Sequence, residues 1–281
     1  MIKCVFPVAG YGSRFFPVTK AIPKEMIPLL NKPLIQYAIE ESHSAGLFEN
    51  IFVTSKYKQS IKDYLSLDSE FAEIALSSSK SYLLEDLKNI IKCGEFKFIN
   101  QEKMLGLGHA IYTAKDIIKA DSFGVVLPDD FCVNPVYPVM KQMLDLHKLF
   151  PKHCIIAVEE VDSTRVCNYG IIEGATLDIP NSQFTDNVYI VSNMIEKPRE
   201  EEAPSNLAII GRYILSPQIF DKISLTVPDN NNEIQITDAL NLLAKESKVI
   251  AYKYDGTRYD CGAIDGFIKA SNYLYSFKLG S

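Results

Sequence analysis

Lys3-Cys4-Val5-Phe6-Pro7-Val8-Ala9-Gly10-Tyr11-Gly12-Ser13-Arg14 decides the reading of this chain. Its first seven residues are almost wholly apolar, the mark of a strand covered on both faces, and two glycines follow at once. Glycine lets main-chain N–H groups come close to an anion, and successive N–H groups in such a turn form a nest of partial positive charge. Several phosphate-binding folds share a strand, a glycine loop and a helix. A dinucleotide site needs G-x-G-x-x-G and an acidic residue ending the second strand. Here Phe15 stands in the third glycine's place, and the second strand ends in Thr54-Ser55. The P-loop pattern is absent too. Taken alone, the loop is also compatible with an ordinary turn between strand and helix.

What lifts it is the sequel. Arg14, Pro17, Lys20, Pro23, Lys24 and Glu25 follow before any long helix. Arg14 offers a planar fork for two phosphate oxygens and Lys24 a mobile point charge, while the prolines restrict the chain that presents them. The whole chain of 281 residues carries a net charge of −6. Such a protein lacks the basic surface that duplex nucleic acid demands, so any polyanion site must concentrate its positive charge locally. This loop is the candidate.

No apolar run approaches the roughly 18 residues of a membrane helix, and the N-terminal run is too short for a signal peptide. A cytoplasmic protein is expected. The six cysteines (Cys4, Cys93, Cys132, Cys154, Cys167, Cys261) form no C-x-x-C pair, and the four histidines show no ligand spacing. Reduced cysteines filling the core are expected, rather than a zinc site or a disulfide framework.

Working outward, short β-rich runs alternate with helical ones. The expected strands are 3–9, 50–55, 96–99 and 123–127, with helices over 33–45 and 108–119 and a helical excursion at 57–92. This order predicts a mostly parallel sheet covered on both faces, with ligands beyond the strands' carboxyl ends. Ala9-Gly10, Gln101 and Asp129 all follow strand ends and are expected to converge. Four further runs, 155–158, 188–195, 208–215 and 249–254, are expected to extend the sheet. Asp130 adjoins Asp129, but alternation along a strand points it elsewhere.

Gly10-x-Gly12-x-Arg14-x-x-Pro17-x-Thr19-Lys20, followed by Pro23-Lys24-Glu25-Met26, resembles the signature loop of the sugar-1-phosphate nucleotidyltransferases. Within them it looks most like the bacterial UTP–glucose-1-phosphate uridylyltransferases. The similarity continues through Gly106-Leu107-Gly108-His109-Ala110, Leu127-Pro128-Asp129, Glu196-Lys197-Pro198, Gly211-Arg212-Tyr213, Asn232-Glu233-Ile234-Gln235 and Asp260-Cys261-Gly262. These motifs span nearly the whole chain in order.

The resemblance implies an α/β, Rossmann-like three-layer fold with a mixed, mostly parallel sheet. It implies one domain over 1–281, with a nucleotide half (about 1–135), a sugar half (about 136–264) and a C-terminal helix (about 265–277). It implies transfer of the uridylyl group of UTP to glucose 1-phosphate with Mg²⁺, and a homodimer or homotetramer. Arg14 and Lys24 then grip the triphosphate, and Ala9, Gly10, Gly12, Glu25, Gln101 and Gly106 complete the nucleotide site. Gly170, Glu196, Lys197, Ile210 and Gly211 serve the sugar phosphate, and Asp129 and Asp260 the metal. A sibling using dTTP or another sugar phosphate, and a non-catalytic sugar-nucleotide sensor, remain as alternatives.

Overall fold

β1 (Lys3–Pro7) is buried through Cys4, Val5 and Phe6, and it needs neighbours on both edges and both faces. It finds them in a computed structural model that describes residues 2–180, 182–184 and 186–280. After β1 come three single 3₁₀ turns and a two-residue hairpin, β2 (Pro28–Leu29) with β3 (Lys32–Pro33). Helix α1 (Leu34–Ser44) then leads to β4 (Glu49–Thr54). Pro33 lies just outside α1 in extended conformation, so the helix begins one residue later than the sequence suggests. The excursion holds α2 (Gln59–Tyr64), α3 (Glu70–Ser77) and α4 (Glu85–Cys93), and leads into β5 (Glu95–Asn100).

Helix α5 spans Gly106–Thr113, where 108–119 was expected. Its start is set by Gly106 at φ 86° and by a clasp in which the Gly108 N–H donates to Ile234 O (2.8 Å). A first-turn N–H has no partner inside its own helix, so this outside carbonyl satisfies it. After Thr113 the chain continues in single turns that bury Ala114 and Ile118. β6 (Phe123–Val126), β7 (Asp130–Val133), α6 (Val139–Leu149) and β8 (Cys154–Glu160) follow. Then come β9 (Gly170–Thr176), β10 (Val188–Glu196), β11 (Leu207–Leu215), α7 (Gln218–Leu225) and α8 (Ile236–Ala244). The chain closes with β12 (Val249–Lys253), β13 (Thr257–Asp260) and α9 (Ile264–Gly280).

Nine strands form one sheet in the order β5-β4-β1-β6-β11-β8-β12-β10-β9. The first four are mutually parallel. Beyond β6 only β8 and β12 pair in parallel, and the other neighbours are antiparallel. The sheet is therefore mixed, its parallel part concentrated in the first half. One face packs against α5, α7 and α8 through Ile111, Phe220 and Leu240. The other packs against α1, α4 and α6 through Ile39, Ile90 and Met143. That gives three layers with helices on both faces.

β1 has β4 on one side and β6 on the other, so the chain reverses its direction of travel across the sheet there. The loops leaving β1 and β6 lie at this switch point, the place where such sheets bind ligands. No helix among the described residues is long and apolar enough to cross a membrane. All six cysteines are free; Cys4, Cys154 and Cys261 are buried, but Cys93 and Cys167 are exposed rather than core residues. Cys93 ends α4 and Cys167 lies in a surface 3₁₀ turn, positions where no second layer covers them.

Candidate active site

The glycine loop folds back on itself. Gly12 takes a left-handed conformation (φ 67°), and a Cβ there would stand 3.1 Å from Lys24 Cβ and 3.2 Å from Thr19 Cγ2. Thr19 Oγ1 donates to Gly12 O (2.8 Å), locking the return. Arg14 and Lys24, ten residues apart in the chain, thereby flank one crevice. A Cβ on Gly10 would meet nothing within 4 Å, so that glycine borders open space. Ala9 is buried below it.

Lys24 Nζ bonds Asp129 Oδ2 across the switch point. Burial alone would lower the Lys24 pKa, but Asp129 and then Glu25 outweigh it and raise it. Burial likewise opposes charge on Asp129, yet Lys24 holds that carboxyl below its usual range. Both members stay ionised. Asp260 joins them from β13: its Oδ1 and Asp129 Oδ2 each lie 3.0 Å from the point a Gly262 Cβ would occupy. Arg14 Nη1 lies 3.3 Å from the same point and 3.4 Å from Gly262 O. Burial, reinforced by the Asp130 charge, raises the Asp260 pKa. A cation would relieve that crowding of carboxylates. Mg²⁺ with phosphates takes one or two carboxylates and fills its shell with phosphate oxygens and water, so this pair fits it. Among the described residues no cluster of three or more His, Cys, Asp or Glu could hold a metal alone.

Glu25 is wholly buried in an ion pair with Lys58 (2.7 Å), itself 4% exposed, which ties the glycine loop to the excursion. Its Oε1 has no hydrogen-bond partner. Beside this pair a cavity of about 450 Å³ opens, lined by Tyr11, Phe16, Lys20, Ser55, Tyr57 and Lys58 among others. Lys20 thus faces this cavity. Asp129, Asp260 and Lys197 do not line it.

Gln101 follows β5, is 4% exposed, and its Nε2 reaches both Gly106 O (3.3 Å) and His109 Nδ1 (2.8 Å). Only a donor can serve Gly106 O, so the amide orientation is fixed and His109 accepts as a neutral ring. Burial lowers the His109 pKa, in keeping with that role. A Cβ on Gly106 would stand 2.9 Å from Glu233 Cβ, which shows how tightly the 232–235 segment seats on the glycines.

On the other side, Gly170 of β9 faces Glu196 of β10 in register. Glu196 Oε2 accepts from Thr237 Oγ1 (2.6 Å), and a Cβ on Gly170 would crowd both groups. Lys197 is held at φ 47°, its N–H donating to Tyr169 O, and its side chain is 54% exposed. The Ile210 side chain lies in the core, which leaves only its main chain for a ligand. Gly211 presses on the β6 loop: a Cβ there would meet Asp130 Oδ2 and Leu127 Cβ at 2.5 Å.

A nucleotidyl transferase family model matches residues 5–276. The chain belongs to the nucleotidyl transferase family. A UTP–glucose-1-phosphate uridylyltransferase of Pseudomonas aeruginosa is 46% identical over 274 residues, covering 97% of this chain and 95% of that one. An apo-UDP-glucose pyrophosphorylase crystal structure superposes with TM-score 0.91 at 46% identity, covering 99% of this chain and 100% of its own. A UDP-glucose pyrophosphorylase complexed with UDP-glucose gives 0.88 at 47%, covering 98% and 99%.

Within a nucleotidyl transferase, then, the structure groups Arg14, Asp129 and Asp260 around Gly262, with Lys24 on Asp129. It also groups Gly170 and Thr237 around Glu196, with which Lys197 Nζ pairs at 3.5 Å. Sequence reading gave no role to Gly262, Thr237 or His109. The signal for Gly262 was its place after Asp260-Cys261, where a Cβ would press on two carboxylates and a guanidinium. Thr237 follows the Asn232–Gln235 motif by two residues and could have been sought there.

Proposed function

We propose that the protein transfers the uridylyl group of UTP to α-D-glucose 1-phosphate, releasing pyrophosphate and giving UDP-glucose. The observation that carries this reading is the convergence of Arg14, Asp129 and Asp260 on Gly262 at the switch point, with Lys24 bonded to Asp129. The relatives named above supply the substrates. A phosphate oxygen of glucose 1-phosphate attacks the α-phosphorus in line with the departing pyrophosphate. The attacker is already an anion, so the protein's work is to align two anions and neutralise developing charge.

Arg14 and Lys24 hold the β- and γ-phosphates, and the glycine loop's N–H groups line their approach. Gln101 presents its free amide edge to the pyrimidine beside Gly106. Lys197, the exposed cation of the sugar side, pairs with the acceptor phosphate, while Glu196 accepts from sugar hydroxyls next to Gly170. Glu25 acts from beneath, holding the loop through Lys58. When bound, Mg²⁺ would be held by Asp129 and Asp260 and would screen the charge on the phosphate oxygens.

The test is pyrophosphate release from a panel of nucleoside triphosphates against several sugar 1-phosphates. UTP with glucose 1-phosphate is expected to give the highest kcat/KM, and activity is expected to require a divalent cation. A higher value for dTTP, or no release with any pair, would overturn the reading.

A further inference from the structure

Asp130 is not bonded to Lys24 or Arg14, yet both of its carboxylate oxygens are engaged. Its Oδ2 accepts from the Gly211 N–H (2.8 Å), and its Oδ1 pairs with Arg258 Nη1. Arg258 is buried, its side chain 4% exposed, and spends its other donors on Glu159 Oε1 (2.7 Å) and the Tyr169 hydroxyl (3.0 Å). Its guanidinium also lies over the Tyr169 ring, 5.0 Å from the centroid.

These contacts have a direction. β7 and β13 pair antiparallel, with Asp260 opposite Asp130 and Arg258 opposite Cys132. Opposed residues share a face of a ribbon, and so do residues two apart on one strand. Asp130, Asp260 and Arg258 therefore project to the same side, and two like charges sit directly opposite one another. Such a pair repels unless positive charge is fixed beside it, and Arg258, bonded to Asp130, supplies that charge. Asp129 follows from the same ribbon, since the Cys261 N–H donates to Asp129 O (2.7 Å). At the far end, Tyr169 O accepts the Lys197 N–H (2.9 Å), and Tyr169 precedes Gly170.

We propose that Arg258 is a positioning residue that, through Asp130 and Tyr169, sets the metal-binding carboxylates and Lys197 in one rigid frame. Neither Arg258 nor Asp130 meets substrate. Their bonds join the ribbon bearing Asp260 to the turn that carries Lys197, and so fix the span between the two half-sites. Gly211 completes the frame, because any larger residue would drive Asp130 off its N–H. The inference rests on the functional reading above and adds to it the residues that hold its geometry.

Arg258→Lys keeps the charge and loses the fork. In the full-length protein with UTP, Mn²⁺ affinity followed by electron paramagnetic resonance is expected to fall roughly 10-fold, the low end of the range for losing a direct partner of a metal ligand, because Arg258 reaches the ligands only through Asp130. The Mg²⁺ concentration for half-maximal rate and the KM for glucose 1-phosphate rise with it, while metal-free UTP binding is unchanged. Tyr169→Phe removes the hydroxyl that accepts from Arg258 and from the exposed Arg165, and no charge. It is expected to raise KM for glucose 1-phosphate and leave Mn²⁺ affinity alone, and it decides the matter if Arg258→Lys does not fold. Folded Arg258→Lys with wild-type Mn²⁺ affinity and KM overturns the proposal, as does a drop in kcat with both constants unmoved. Unaltered KM in Tyr169→Phe overturns the link to Lys197. A wild-type protein that binds Mn²⁺ with UTP but makes no UDP-glucose defeats the functional reading instead, and the Mn²⁺ comparison still judges Arg258.

Discussion

The two halves of the sheet present their site residues in opposite ways. In the parallel half, Arg14, Lys24, Gln101 and Asp129 stand on loops past the strand ends and are held by each other's charges and hydrogen bonds. In the antiparallel half, Gly170, Glu196 and Gly211 lie within strands, held by main-chain register and by the space their neighbours leave. Parallel strands end together at one edge, so only loops can reach a ligand there. Antiparallel strands place a residue anywhere along their length. Charge is therefore the sensitive quantity in the first half, and volume in the second.

The largest expected effect tests the charge side. Asp129→Asn keeps the shape of the side chain but strips Lys24 of its ionic partner and the divalent cation of one carboxylate. Turnover is expected to fall on the order of 10³-fold, the upper range for losing one electrostatic stabiliser, with far-UV circular dichroism unchanged. Titrating Mg²⁺ against rate reads it; wild-type metal dependence would break the comparison.

Lys197→Ala probes the point where the halves meet, since an exposed cation sits on a strand-held turn. Turnover is expected to drop about 10²-fold while UTP binding by calorimetry persists. Unchanged turnover in the folded variant would remove Lys197 from the acceptor phosphate.

Gly211→Ala tests the volume side. One methyl would have to displace both Leu127 and the Asp130 carboxylate, an overpacking that costs about 1–3 kcal/mol. Thermal denaturation should show a Tm lower by several degrees, roughly 2–4 °C per kcal/mol at this size. An unchanged Tm would mean the strand yields more freely than its register implies.

The smallest effect is a stability change in acid. Burial lowers the pKa of His43 and His147 in the folded protein, so the unfolded chain binds their protons first. Stability is full above the ordinary histidine pKa and declines as pH falls from there towards the lowered values. Denaturant midpoints measured across that range should fall on acidification, and flat midpoints would contradict it.

How much of this was legible in the sequence follows the same division. The parallel strands announce themselves as short apolar runs, and Gly10, Arg14, Lys24 and Asp129 could be placed at their ends because a strand end is visible locally. β7 and β13 could not be seen: each has four residues and becomes a strand only by pairing across more than a hundred intervening residues. β9 was hidden because its exposed half, Glu173–Thr176, breaks the apolar run. Asp130 does take partners other than those of Asp129, namely Gly211 and Arg258, but not through alternation along one strand: Asp129 lies in the turn after β6 and Asp130 opens β7. Its partner Arg258 is 128 residues distant, and Arg212 lies 171 residues from Glu41, so no pattern in either stretch could name them.

One feature of the sheet reaches beyond the site. Because the nine strands do not close into a barrel, β5 and β9 form its two margins, where unpaired main-chain groups could recruit a strand from another molecule. β5 alternates Glu95 and Lys97, both exposed, with phenylalanines turned inward, and β9 bends back so that Ile171 meets Ala208 of β11. A foreign strand would have to bury those charges at one margin or displace a native pairing at the other. The fold thus carries its own resistance to edge-to-edge aggregation.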